Sequence, residues 1–242
     1  MTDFESFCLP AFADMRIRAR FNVAPDGGPI RDLCAVPSHK AMGHYPSAKA
    51  GRSLSWNEFV QRSRYWQCEA DPDVATYMAQ PYRVDIMLSD RREAEPFFPD
   101  LRVEYRSGRT EIERLIPPRG VSIREQRNIE LARDICLGRG FGFRVLYASE
   151  VLDTVAEKNA ILIAVDRYTI VRANDLFRAI EAFESLGGEA PYARAIEALG
   201  GPGEGRAVLH ALIMRGYVGI DLQKPILISS RVWWRADTGA SG

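Results

Sequence analysis

The sequence predicts an α/β fold class, with a mixed sheet flanked by helices and a second, mainly helical domain after it. Two observations support this prediction. Between residues 55 and 151, the hydrophobic pattern follows the order helix, strand, strand, strand, helix, strand. From residue 152 onward, helical patterns dominate and end in two short strands. Such a change from a mixed to a helical pattern is typical of a domain boundary.

The composition predicts a globular protein with no overall preference for anionic partners. The 242 residues are 46% hydrophobic and 26% charged, and the formal net charge is zero. Such a chain is long enough to bury one large core or two modest ones. Because the charges balance, attraction by overall charge alone is excluded as a basis for nucleic-acid binding.

The cysteines and the N-terminal segment favour a cytoplasmic protein with reduced thiols. The four cysteines are scattered, and they and the three histidines do not show zinc-ligand spacing. The first residues, "MTDFESFCLP", lack the apolar run of a signal peptide. No segment approaches the roughly 20 apolar residues that span a bilayer. We therefore expect no membrane partner and no cofactor.

The first half of the chain justifies the α/β prediction element by element. Residues 1–54 are rich in Pro, Gly and Arg and predict a loop-rich basic arm, in which "MRIRARF" is either a short strand or part of the arm. A helical stripe begins at Ser55 and ends near Ala70, with Ser53 or Ser55 as its cap. The following segments predict three strands, a helix and a last strand: "YRVDIML", "DLRVEY", "TEIERLI", "SIREQRNIELARDICLGRG" and "FRVLYASEV". An "RSG" turn joins the second and third strands into a hairpin.

The second half predicts three helices followed by a β-hairpin. Residues 156–183 are largely helical in pattern, 189–199 form a second helix, and "GEGRAVLHALIMRGYV" forms a third. The segment "VGIDLQKPILISSRVWW" predicts two strands around a Gln-Lys-Pro turn. This order is typical of a winged-helix domain. The predicted domains are therefore 55–151 and 152–235, with a disordered tail at 236–242.

Three motifs in the first half resemble TnsA-type transposon endonucleases, members of the PD-(D/E)XK nuclease superfamily. They are "S-x-K-x-G-R" at residues 47–52, "DPDV…QP" between residues 71 and 81, and "F-x-P-D" at residues 97–100. The resemblance covers residues 43–146. It implies a restriction-endonuclease-like core, and a winged helix beyond it also fits the family.

The resemblance implies a nuclease site in which most of the working residues have been replaced. The family's helix glutamate falls on Asn57, a second acidic position falls on Gln61, and the Pro-Asp falls on Asp100. The Glu/Gln-x-Lys pair falls on Arg114 and Ile116. In the family, the carboxylates bind a divalent metal and the lysine helps to activate water. Only Asp100 keeps the family's residue type, so we expect no catalysis.

Retained cleavage requires substitute residues near Asp100. Glu58 would require a shift of its helix, and Glu111 and Glu113 would require a one-residue slip of their strand. If the site is active, Asp100 is the expected ligand of Mg²⁺ or Mn²⁺.

The predicted function is binding of double-stranded DNA without cleavage, within a transposase-like or regulatory complex with other proteins. The predicted contacts lie near the former cleft and on the third C-terminal helix and its wing: Arg114, Arg119, Arg124, Arg127, Arg206, His210, Arg215 and Lys224. For the first four arginines, the competing interpretation is a solvent-exposed helix face that also carries acidic residues. The competing functions are an active metal-dependent endonuclease and a protein–protein adaptor.

Overall fold

A computed structural model describes residues 5–7, 17–35, 39–88 and 93–235, with only the backbone described at 5–7. Two compact units emerge. The first takes in the described residues up to Pro46, together with Ser53–Arg62 and Thr76–Glu150. The second takes in Ser47–Arg52, Ser63–Ala75 and the described residues from Val151 onward. The predicted tail at 236–242 and the first two residues of "MRIRARF" lie outside the described residues.

The described residues up to Val151 contain ten strands and two long helices, with a short helix at the end. In chain order they are β1 (Glu5–Phe7), β2 (Ile17–Asn22), β3 (Gly43–Ser47), β4 (Arg52–Trp56), α1 (Phe59–Ala70), β5 (Val74–Ala79), β6 (Arg83–Leu88), β7 (Glu95–Phe97), β8 (Leu101–Tyr105), β9 (Thr110–Ile116), α2 (Ile123–Gly138), β10 (Gly142–Tyr147) and α3 (Ala148–Val151). They form an antiparallel sheet β1-β2-β6-β7, a sheet β10-β9-β8-β5 and a β3-β4 pair. The second sheet is mixed, because β10 runs parallel to β9 whereas β8 runs antiparallel to it.

The mixed sheet and its flanking helices confirm the predicted α/β class. Strands β6, β8 and β9 lie where the alternating patterns predict them. The β8–β9 turn is also confirmed: Gly108 has a φ of 83°, which glycine adopts readily. Within this unit, apolar side chains of β2, β6 and β9 share a core with one face of α2.

Two predictions fail around α1. The segment 43–53 was expected to be loop-like, but most of it belongs to the β3–β4 hairpin. Because β4 extends through Trp56, the helix begins at Phe59, and neither Ser53 nor Ser55 caps it. Strand β5 was not predicted either. Asp71 precedes it in a turn and accepts a hydrogen bond from the backbone N–H of Asp73 at 2.8 Å, as aspartate commonly does in turns.

Helix α2 forms where it is predicted, but fewer of its apolar residues are buried than the sequence pattern suggests. The Ser122 hydroxyl caps it by accepting from the Glu125 N–H at 3.2 Å. Ile129, Leu131 and Ile135 are buried, whereas Ile123 and Leu137 are exposed. The predicted last strand ends at Tyr147, where α3 begins.

The remaining residues contain helices α4 (Val155–Ala164), α5 (Ala173–Ser185), α6 (Tyr192–Ala198) and α7 (Glu204–Met214), and strands β11 (Glu189–Pro191), β12 (Val218–Ile220) and β13 (Arg231–Trp234). The region expected to be helical over 156–183 is therefore two helices. The three strands form an antiparallel sheet in the order β11-β13-β12. Helix α7 packs against α4, α6 and β12, and seven consecutive residues from Val208 to Met214 are buried.

Of the helices described, none combines the length and the apolar character needed to cross a membrane.

Candidate functional site

Asp100, at the start of β8, is the centre of a buried polar cluster in the first unit. Its side chain is 2% exposed. Gln61 donates from Nε2 to Asp100 Oδ1 at 2.9 Å. Arg114 Nη1 and the Leu115 N–H both donate to Oδ2, at 2.5 and 2.8 Å. Both carboxylate oxygens are therefore engaged by protein donors, and three of the residues singled out by the resemblance, Gln61, Asp100 and Arg114, meet here.

The pairing of β8 with β9 explains why Arg114 faces Asp100. Leu101 lies opposite Glu113, and the Asp100 N–H donates to the Glu113 carbonyl at 2.9 Å. The adjacent pair is therefore Asp100 and Arg114. Successive residues of a strand point to opposite faces, so Glu111 and Glu113 lie on the other face from Arg114. The proposed rescue by these glutamates would require a register different from the one in the structure.

The arginine cation occupies the space beside the carboxylate. Arg114 also donates to the Glu125 carboxylate, so two acids hold its guanidinium. Burial alone would lower the pKa of Arg114, but the charges of Asp100 and Glu125 outweigh that effect and raise its pKa above the usual value. Divalent cations bind best where several carboxylates converge, whereas here a permanent positive charge faces Asp100.

Among the residues that the structure describes, other metal-ligating side chains do not converge on Asp100. Within the part of the chain that the structure describes, Asp100 belongs to no group of three Asp, Glu, His or Cys side chains close enough to share one ion. Ile116, onto which the resemblance places the catalytic lysine, is buried in the apolar core and has no proton-handling group. The donor set around Asp100 therefore does not fit a magnesium or manganese ion in this conformation.

The first turn of α1 fixes Gln61 in place. Its Oε1 accepts from the backbone N–H groups of Asn57 and Glu58 at 3.0 and 3.2 Å, as the third helical residue does in a capping box. With Oε1 used in this way, the NH₂ group is free to face Asp100. The Glu58 carboxylate is engaged elsewhere: it pairs with Arg119 at 2.5 Å and with Lys40 at 3.1 Å.

A pocket of about 270 Å³ lies next to the Asp100 cluster and has a basic rim. Its lining includes three arginines and the cap of α2: Arg31, Pro96, Phe97, Phe98, Arg114, Ser122, Arg124, Glu125 and Asn128. Arg124 is largely exposed, with its guanidinium 3.5 Å from Glu95. Arg119 is exposed as well, whereas Arg127 is partly buried on α2. Neither of these two predicted contacts lines the pocket.

Arg31 and Gln80 are functional candidates that the sequence analysis missed. Arg31 lies with its guanidinium 4.0 Å from the centre of the Phe98 ring, and its Nε donates to Gln80 Oε1 at 2.7 Å. The backbone N–H of Gln80 donates to the Asp100 carbonyl at 2.8 Å. Gln80 is buried and has a φ of 46°, a left-handed conformation that is unusual for glutamine. The quoted motif "DPDV…QP" includes Gln80 and was the available signal for it. Its hydrogen-bond partner Arg31 lies 49 residues away in the sequence, so no local pattern indicates the pair.

The predicted contacts in the second unit do not form one exposed surface. His210 is fully buried, which removes it from the expected groove-facing set. Arg215 is partly buried, and its Nη2 donates to the Thr169 carbonyl at 2.8 Å. Arg206 and Lys224 are exposed, and Lys224 pairs with Asp221 at 2.9 Å.

His210 instead belongs to a buried hydrogen-bonded network. Its Nδ1 lies 2.7 Å from Asp166 Oδ2 and its Nε2 lies 2.5 Å from the Tyr192 hydroxyl. Burial is the main cause of a lowered His210 pKa, and the nearby Arg206 charge adds to it, while Asp166 opposes both. The neutral ring therefore donates from Nδ1 to the carboxylate and accepts from tyrosine at Nε2. No local pattern predicts this network, because its members come from three separate segments of the chain.

Comparisons of the chain with protein-family models and with curated proteins find no match.

Proposed function

We propose that the chain binds DNA through a catalytically inactive nuclease fold of the TnsA type. One observation carries this proposal: Gln61, Arg114 and the Leu115 N–H together engage both oxygens of the Asp100 carboxylate. A guanidinium beside the carboxylate cancels the negative charge that would repel a phosphate, whereas a metal-binding site needs that charge.

The order of elements supports the fold part of the proposal. In the PD-(D/E)XK arrangement, the acidic residue precedes one strand of a hairpin and the catalytic pair lies on the next; Asp100 precedes β8, and Arg114 and Ile116 lie on β9. In the second unit, the order α5, β11, α6, α7, β12, β13 with strands arranged β11-β13-β12 is typical of a winged helix. A cytoplasmic location and a transposase-like or regulatory complex belong to the same proposal.

The basic pocket supplies the proposed phosphate contacts. Arg31, Arg114 and Arg124 surround it, and the N-terminus of α2 opens onto it at Ser122. Guanidinium groups pair with phosphate oxygens through two parallel hydrogen bonds, and helix N-termini also favour anions. Arg31 is the strongest of these contacts, because the side-chain hydrogen bond from its Nε goes to the neutral Gln80 amide and leaves its charge available. Arg114 lines the pocket, and its positive charge neutralises the carboxylate of Asp100.

A protein-docking role for the second unit is the second candidate. Helix α7, which would enter the major groove in a DNA-reading winged helix, is covered by α4, α6 and β12. The same unit exposes large apolar side chains on α4, on α5 and between them: Ile161, Leu162, Val165, Tyr168, Ile170 and Phe177. Exposed apolar groups of this kind favour contact with protein over contact with a nucleic-acid backbone.

Incubation of supercoiled plasmid with the purified chain and Mg²⁺ or Mn²⁺ tests the loss of catalysis. The Asp100→Asn variant is run alongside, because asparagine keeps the shape and one acceptor oxygen. We expect intact plasmid with both proteins. Cleavage by the natural chain that Asp100→Asn abolishes would overturn the proposal and support an active endonuclease with a rearranged site.

A further inference from the structure

The loop after β2 and strand β3 bring together three side chains of the types that bind transition metals. They are Asp32, Cys34 and His44, and their ligand atoms all lie within 4.8 Å of one another. Asp32 Oδ1 and His44 Nε2 are 3.7 Å apart. Among the described residues, this is the only group of three such side chains with that spacing.

Backbone hydrogen bonds hold this group in position without a metal. The Cys34 N–H donates to Asp32 Oδ1 at 2.9 Å, and the Leu33 N–H donates to the Ser55 hydroxyl on β4 at 2.9 Å. The Cys34 thiol lies 3.3 Å from the Gly43 carbonyl, beside His44. The loop is therefore already attached to the β3–β4 hairpin, and little chain entropy remains to be lost when an ion binds.

The distances and the exposure both suit an ion that enters from solvent. Tetrahedral zinc with its usual bond lengths places neighbouring ligand atoms about 3.3–3.7 Å apart. The Asp32–His44 separation already falls at the upper end of that range. The Asp32 and His44 side chains are 53% and 51% exposed, so small rotations can bring all three ligand atoms to one centre.

We propose that Asp32, Cys34 and His44 form a zinc site that fixes the loop beside Arg31 to the β3–β4 hairpin. A thiolate with an imidazole selects zinc over magnesium or calcium, which prefer oxygen ligands alone. On binding, the Cys34 thiol releases its proton to solvent and the sulfur forms the bond to zinc. Water completes the fourth position. This site is separate from the Asp100 cluster, and the proposal does not depend on DNA binding.

The hydrogen bonding of Cys34 argues against a nucleophilic role for the same three residues. A catalytic thiol needs a hydrogen bond to the imidazole that takes its proton. Here the thiol is directed to backbone carbonyls, those of Gly43 at 3.3 Å and Trp56 at 3.7 Å. Metal ligation uses the same thiol without requiring that bond.

Cobalt titration of the untagged, metal-stripped full chain tests the site. A thiolate bound to Co²⁺ gives a charge-transfer absorption, which we expect to saturate at one equivalent and to disappear when Zn²⁺ is added. Cys34→Ser is expected to abolish the absorption. His44→Asn is expected to weaken Co²⁺ binding by at least about tenfold, since even groups that only orient a ligand are worth about 10- to 100-fold.

A matched variant and a folding check make the result decisive. His39→Asn changes an exposed histidine outside the group and is expected to bind Co²⁺ like the natural chain. Circular dichroism establishes that each variant is folded. Undiminished absorption in folded Cys34→Ser would overturn the proposal, because another thiol would then be the ligand. The absence of one-to-one binding by the natural chain would overturn it as well.

Discussion

Two basic regions that the sequence suggests as DNA contacts differ sharply in the folded chain. In the first unit, the predicted contacts Arg114 and Arg124 line an open pocket together with Arg31, which the sequence did not indicate. In the second, α7 is buried over seven consecutive residues, and His210 is part of the interior. A basic residue on a predicted helix therefore indicates a nucleic-acid surface only where tertiary packing leaves that face exposed.

The largest expected effect is the loss of unfolding free energy when the buried Asp100 carboxylate of the first unit is removed. Asp100→Ala leaves the Arg114 guanidinium and the Gln61 amide without their shared acceptor. Breaking a buried ion pair in this way costs about 3–5 kcal/mol. Chemical denaturation should show a loss of unfolding free energy of that size. The control Asp221→Ala, at an exposed residue paired with Lys224, should lose far less, because solvent screens an exposed ion pair. Equal losses would contradict the role given to Asp100.

The network in the second unit should be less costly to disturb. Tyr192→Phe removes the hydroxyl that donates to His210 Nε2 and leaves a buried acceptor unsatisfied. The expected loss of unfolding free energy is about 1–3 kcal/mol. Tyr168→Phe is the matched control, because Tyr168 is largely exposed. A loss below about 0.5 kcal/mol for Tyr192→Phe would show that the network adds little to stability.

DNA affinity should distinguish the two regions directly. Arg31→Ala and Arg124→Ala are each expected to weaken binding about five- to tenfold, because each removes a phosphate contact. Arg206→Ala and Lys224→Ala are expected to change it less than about twofold. Fluorescence anisotropy with a short duplex measures all four. The reverse order would move the binding surface to the second unit.

The smallest expected effect is a pH dependence of stability from His210. Its pKa in the folded chain is lowered by burial, so the unfolded chain binds the proton more readily, from the ordinary pKa of about 6.5 downward. Stability should therefore fall as the pH drops through 6.5. His210→Gln should flatten that part of the profile. The carboxyls of Asp85 and Asp175, whose pKa values are lowered, lose their contribution only at more acidic pH. An unchanged slope in His210→Gln would contradict this assignment.

The sequence predicted local features better than distant contacts. The β8–β9 hairpin follows from alternation and a glycine turn, and α2 follows from helical periodicity, all of which are local patterns in the sequence. The clustering of Gln61, Asp100 and Arg114 was anticipated through the family resemblance. Arg31, Gln80 and the Asp32–Cys34–His44 group were not, because each depends on contacts between separate segments. The burial of α7 was missed because it depends on α4, which packs onto it.

The most direct test of the central claim is DNA binding without metal. Anisotropy with a short duplex in EDTA, over a range of salt concentrations, gives both the affinity and its dependence on salt. We expect binding in EDTA, with a log–log slope that falls by about 2 in the Arg31→Ala/Arg124→Ala double variant. Arg109→Ala, at an exposed residue of the β8–β9 turn, should leave the slope unchanged. Absence of binding in EDTA, or a slope that the double variant does not alter, would contradict the claim.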